Sequence, residues 1–188
     1  VRALTVSQAE RPLLKLLHLL TAKPVLYVCN VDEADAQGGN VLSAAVERRA
    51  AEEGAEAVVV SAAIEADIAA LGEAEEKRAF LDDLGLEAAG LERVIHAGHR
   101  LLGLIRFMTA SPKEARAWTL KKGASAREAA GNIHSDMARG FICAETITFA
   151  DFVASGGETG AKTAGKMRQE GADYAIEESD VILFRFNV

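Results

Sequence analysis

One apolar run with an abrupt polar end constrains this chain more than any other feature. Lys-Pro-Val-Leu-Tyr-Val-Cys-Asn-Val-Asp-Glu, residues 23–33, passes through β-branched and aromatic residues and stops at Asn30, with Glu33 three places on. A second run, Glu56-Ala-Val-Val-Val-Ser-Ala-Ala63, also ends in small or polar residues. Between them, Asn40 to Glu53 followed by Gly54 reads as one capped helix. A strand, helix, strand order with a crossover of this length predicts parallel, right-handed pairing. Asn30 and Ser61 then share the C-terminal sheet edge, where open α/β sheets bind their ligands.

Other segments of the first half read less distinctively. Leu13, Leu16, Leu17 and Leu20 recur at helical spacing, which predicts a helix with a buried face over about Glu10 to Ala22, starting near Arg11 with Pro12 in its first turn. Val25 to Cys29 is continuous enough for a strand covered on both faces. Ile64 to Gly85 reads as acidic surface helices over an apolar stripe, and Leu91 to Leu104 as a further helix. His96 and His99 on that helix lack a nearby third metal ligand, and Asp32, Glu33 and Asp35 lack the spacing of a calcium loop. No Gly-x-x-x-x-Gly-Lys-Ser/Thr phosphate loop occurs in the sequence.

The polar groups at the strand ends suit a purine. Guanine presents two adjacent donors that a correctly placed short carboxylate accepts together. Here the fourth position is Glu33, one methylene longer than Asp, so that match is displaced. The Asn30 amide can donate to N7 and accept from the adenine amine. Relaxed or adenine-leaning selectivity is expected, with Ser61, Ala62 and Ala63 lining the pocket.

From Phe107 onward the pattern changes to short strands, glycine-rich turns and one clear helix. Glu114 to Leu120 alternates around Trp118, Lys121-Lys122-Gly123 turns the chain, and Ser125 with Glu128 forms a capping box for a helix through about His134. Ile142 to Phe149 and Val181 to Phe186 read as strands. This order fits a β-grasp, ubiquitin-like arrangement with the last strand central. Gly156 to Lys162 reads as a shaped surface loop, because it lacks the order of a phosphate cradle. Lys162, Lys166 and Arg168, with Lys121, Lys122 and Arg127, form a candidate basic face for RNA phosphates.

Charge supports a division of the chain. Up to Ile105 there are 10 Lys/Arg against 17 Asp/Glu, and from Arg106 onward 11 against 11, within a net charge of −7. The two cysteines, Cys29 and Cys143, are expected to be reduced thiols. Apolar stretches stop well short of the roughly 20 residues of a membrane span, and no export signal follows Val1. The expectation is a cytoplasmic protein with no membrane partner.

Taken together, these residues resemble the YchF / Obg-like ATPase family of P-loop NTPases. Leu19 to Glu33 is similar to that family's altered base-specificity motif, and Ser61 to Asp67 to the loop that follows it. Arg116 to Gly123, Gly131 to His134, Gly160 to Gly165 and Phe184 to Val188 resemble its C-terminal TGS domain. The fold class implied is α/β plus α+β. Residues 1–105 would be a partial parallel-sheet nucleotide domain with the end of a helical insertion, and 106–188 a β-grasp TGS domain.

The resemblance implies a ribosome-associated cytosolic protein, linked to stress responses, that hydrolyses ATP in preference to GTP with Mg²⁺. Asn30 would contact adenine, Val31 the nucleotide through backbone and packing, and Ser61, Ala62 and Ala63 the base pocket. The phosphate loop and switch segments would precede Val1, so the chain reads as a C-terminal portion in which catalytic and metal residues are lacking and hydrolysis is not expected. The rival reading is a non-enzymatic RNA or ribosome adaptor acting through the TGS domain.

Overall fold

The computed structural model describes residues 4–111 and 113–187. The chain divides after Leu102 into two compact units. This falls ahead of the expected position after Ile105, which would have cut the strand Leu104–Ala110.

In the first unit, α1 covers Arg11–Leu16, with Pro12 in its first turn where a missing N–H costs nothing. The Ser7 hydroxyl and backbone N–H donate to the Glu10 carboxylate at 2.6 and 3.0 Å. The helix expected to reach Ala22 stops here: His18 takes a φ of 49° and a 3₁₀ turn, Leu20–Ala22, follows. Leu13, Leu16, Leu17 and Leu20 are exposed rather than buried, from 63% at Leu13 to 77% at Leu20. Helical periodicity gathers an apolar face but supplies no surface to bury it against.

Strand β1, Leu26–Asn30, pairs in parallel with β2, Glu56–Val60, in the register Leu26↔Glu56 to Asn30↔Val60. Between them α2, Val41–Glu53, begins at Asn40 and ends at Gly54, whose φ of 64° suits a residue without Cβ. Three helices follow: α3, Ala62–Ala70; α4, Ala74–Asp83; and α5, Gly90–Leu102. Ala97 and Val94 of α5 pack on Val58, Val60 and Leu26, while Ile64 and Ile68 of α3 join Ala36, Leu86, Phe80 and Leu81. Coverage of β1 on both faces is not complete. Val28 shares the face of Leu26 but is 50% exposed, because the cluster under α5 takes in Leu26 and not Val28.

The second unit opens with the hairpin of β3, Leu104–Ala110, and β4, Ala115–Lys121. The capping box of Ser125 and Glu128 starts α6, Ala126–Ile133, and α7, Ser135–Arg139, follows directly. Then come β5, Phe141–Thr148; α8, Phe149–Ala154; α9, Glu158–Thr163; β6, Arg168–Glu170; and β7, Asp180–Phe186. The sheet order is β4-β3-β7-β5-β6, so the last strand lies in the middle, parallel to β3 and antiparallel to β5. Fully buried Ala126, Ala129 and Ala130 bring α6 close to the sheet, and Phe107 meets Phe184 edge-on at 6.1 Å.

Two segments depart from the sequence reading. The strand expected to include Phe149 ends at Thr148, whose hydroxyl accepts from the Asp151 N–H at 3.1 Å and so starts α8. Gly156 to Lys162 is not a surface loop but enters α9. Gly157, with φ of 114°, makes the bend before the helix, and a Cβ at Gly160 would overlap the Ser155 carbonyl oxygen. Gly160 therefore serves packing, and Gly157 the backbone bend. Among the described residues no helix is long and apolar enough to cross a membrane.

Candidate functional site

The two strand tips of the first unit converge. The Val31 N–H donates to the Val60 carbonyl at 2.9 Å, extending the ladder one step past β1. The Asn30 side chain then reaches across, and its Oδ1 accepts from the Ala62 N–H at 2.9 Å. Asn30 therefore satisfies one of the unpaired N–H groups in the first turn of α3. Asn30, Val31, Ser61 and Ala62 thus meet at one edge, with Ala63 next along α3.

Ser61 is the residue before α3 and is only 3% exposed, yet its hydroxyl caps nothing and has no hydrogen-bond partner among the described residues. Ala62 and Ala63 are exposed on the first turn. Asn30, exposed at the tip, has one Oδ1 lone pair engaged by Ala62 and keeps its amide N–H₂ and a second lone pair for a ligand. Just inside the strand, burial first and Glu47 second push the Cys29 thiol above its ordinary pKa, which keeps it protonated.

Glu33 lies in the exposed 3₁₀ turn Glu33–Asp35, and its carboxylate makes no hydrogen bond or ion pair among the described residues. The loop beyond it is held by a clip that the sequence reading missed. Asn40 Nδ2 donates to Asp35 at 2.9 Å, while its Oδ1 accepts from Leu42 and Ser43 at 3.0 and 3.1 Å. The Asn40–Ser43 spacing at a helix start was the available signal, since Asn is among the strongest N-caps. Glu65 was missed for a different reason. Its carboxylate accepts from the Gly90 and Leu91 N–H groups at 2.6 and 3.0 Å, joining α3 to the start of α5 across a separation no local pattern reveals.

The six basic residues of the second unit are spread over several elements. Lys121 ends β4 and Arg168 begins β6, the two opposite edge strands. Lys122 follows in the turn, and the Arg127 N–H donates to Ala172 beyond β6 at 3.2 Å. On α9 and just after it, Lys162 lies in the last turn and Lys166 sits 3.5 Å from Asp151. Arg168 donates to the Tyr174 hydroxyl at 3.1 Å and lies over its ring. Tyr174 in turn donates to buried Asp180 at 2.9 Å, and burial, then that carboxylate, push its pKa up to about 12. Arg168 is thus built into a structural network.

Comparison with known proteins shows what this chain is similar to. A family profile described as YchF-GTPase_C, protein of unknown function (DUF933), matches residues 104–187. The whole chain aligns at 51% identity over 189 residues with the ribosome-binding ATPase YchF of Bacillus subtilis, covering 51% of that protein. Residues 104–187 belong to the YchF C-terminal family, and the chain as a whole is similar to YchF proteins. Its Escherichia coli O157:H7 relative, also named ribosome-binding ATPase YchF, is 50% identical over 188 residues. The Schizosaccharomyces pombe YchF GTPase superposes with a TM-score of 0.84 at 30% identity, over 98% of this chain and 49% of that one. A Pyrococcus horikoshii GTP-binding protein, 22% identical with a TM-score of 0.59, shares the fold. The chain spans about half the length of the curated relatives it matches.

Proposed function

We propose that this chain carries the base-recognition edge and the TGS domain of a cytoplasmic, ribosome-associated ATPase that prefers ATP to GTP. The observation that carries the reading is the Asn30–Ala62 hydrogen bond, which ties the polar end of one parallel strand to the helix that follows its neighbour. Ligands of open α/β sheets bind at this edge. With one Oδ1 lone pair engaged, Asn30 still offers a donor to purine N7, a group common to adenine and guanine, and a second lone pair to the adenine amine. The N7 contact serves either purine, the second Oδ1 lone pair favours adenine, and the displaced carboxylate of Glu33 leaves the guanine-specific contact weak.

Adenine nucleotide with Mg²⁺ is the ligand of the parent protein in this reading, and phosphoryl transfer to water its reaction. The 188 residues contain no phosphate loop, so the chain by itself is expected to hydrolyse no ATP above background. Residues 106–188 form the β-grasp TGS domain in this reading, supported by the central position of β7 and the helix that follows the first hairpin. Lys121, Lys122, Arg127, Lys162, Lys166 and Arg168 provide its contacts to ribosomal RNA.

Adenosine titrated into the ¹⁵N-labelled chain tests the site. The Asn30 side-chain amide and the Ala62 and Ala63 backbone signals are expected to shift at millimolar ligand, and 7-deaza-adenosine to bind several-fold more weakly because it lacks the N7 acceptor. Unmoved Asn30 signals, or equal binding of the two nucleosides, would overturn the assignment. Protein-dependent ATP turnover by the pure chain would refute the division of labour.

A further inference from the structure

The outer edge of β2 carries a built trough that the base site does not use. Four consecutive residues, Glu56 to Val59, line a cavity of about 440 Å³, together with Glu47 of α2 and Arg93 and His96 of α5. Successive strand residues face opposite sides, so a cavity touching four in a row follows the backbone edge rather than either face. The Val60 carbonyl accepts from Val31, which fixes Val60, Val58 and Glu56 as the residues whose backbone groups point to β1. Ala57 and Val59 therefore direct their N–H and C=O groups outward, and β2 has no other neighbouring strand among the described residues.

Arg93 marks one wall. It lines this trough and an adjoining cavity of about 260 Å³ with Leu86 and Glu87, and it makes no ion pair among the described residues. Its Nε is buried with no hydrogen-bond partner among the described residues. Buried polar groups are normally paired, so an orphaned guanidinium nitrogen beside an open strand edge is an incomplete arrangement. Arg100, by contrast, is already paired with Glu56.

We propose that the outer edge of β2 is a strand-addition site for an extended segment of a partner protein that carries an acidic side chain. The segment pairs with Ala57 and Val59 through its backbone, and its carboxylate sits on Arg93. Backbone pairing supplies affinity in such sites and alternate side chains supply selectivity. An extended peptide is favoured over a second copy because α2 and α5 wall the edge on both faces. A second copy would bring two flanking helices of its own.

The test uses the ¹⁵N-labelled 188-residue chain and two blocked peptides, acetyl-Thr-Val-Glu-Val-Thr-amide and its Gln counterpart. Expected are shifts and slowed exchange at the Ala57 and Val59 amides, with the Glu peptide bound about tenfold more tightly. Arg93→Gln should bring that ratio to near one while both amides still respond. Val59→Pro removes an outward N–H without touching the ladder to β1, and should weaken both peptides severalfold. Silence at Ala57 and Val59 in millimolar peptide, or equal affinity for the two peptides, would overturn the proposal. So would a concentration-dependent dimer in sedimentation that protects the same amides.

Discussion

The carboxylate of Glu65, in the first turn of α3, caps the N-terminus of α5 by accepting from the backbone N–H of Gly90 at 2.6 Å. A second bond from Leu91 at 3.0 Å makes the cap bidentate. The helix that carries the Asn30 contact is thereby fastened to the helix that closes the sheet. Glu65→Ala removes acceptors for two N–H groups and should lower stability by about 1–2 kcal/mol, read as a shift in the urea midpoint. Glu65→Gln, which retains one acceptor oxygen, should recover part of that loss.

Asn30→Ala should leave the fold intact and raise the hydrogen-exchange rate of the Ala62 amide, because the bond it removes lies at an exposed strand tip. The stability change is expected to be about 0.5–1.5 kcal/mol, the usual net worth of one hydrogen bond. Adenosine binding should fall below detection in the same variant. Unchanged exchange at Ala62 would count against the Asn30 contact in solution.

Tyr174 gives the second unit an alkaline limit. Burial and the hydrogen bond to Asp180 raise its pKa from 10.0 to about 12, so the folded state holds this proton more tightly than the unfolded state. That contribution to stability is fully present below pH 10 and is lost as pH rises through 12. Denaturant midpoints should fall across this window, and absorbance near 295 nm should show one tyrosine ionising late. Tyr174→Phe should flatten the dependence.

Gly160→Ala tests the packing of α9. Its Cβ would overlap the Ser155 carbonyl oxygen, and a backbone atom yields less readily than a flexible side chain. A loss of about 1–3 kcal/mol is expected by thermal unfolding. Gly98→Ala, at a helical position where an added Cβ meets nothing within 4 Å, should be neutral or mildly stabilising.

What could be read from the sequence follows the range of the forces involved. The parallel pair was legible because β-branched runs ending in Asn30 and Ser61 are local signals, as was the Ser125–Glu128 cap. The leucines at 13–20 gave a clear period but a wrong outcome, since periodicity carries no information about a covering surface. Gly160 looked like loop composition because the reason for glycine there is Ser155 in the turn before the helix. Glu65 and Arg93 sit on helices without any local signal, and their roles depend on neighbours remote in the chain.

The central place of β7 has a bearing on synthesis. Before Asp180 emerges, the growing polypeptide holds two strand pairs, β4 with β3 and β5 with β6, with no backbone ladder between them. Each pair alone is marginal in water. Cooperative closure of this unit thus waits for its final seven-residue strand, Asp180–Phe186. A nascent chain stalled a few codons earlier would expose Phe107 and Ile147 to solvent and to quality control.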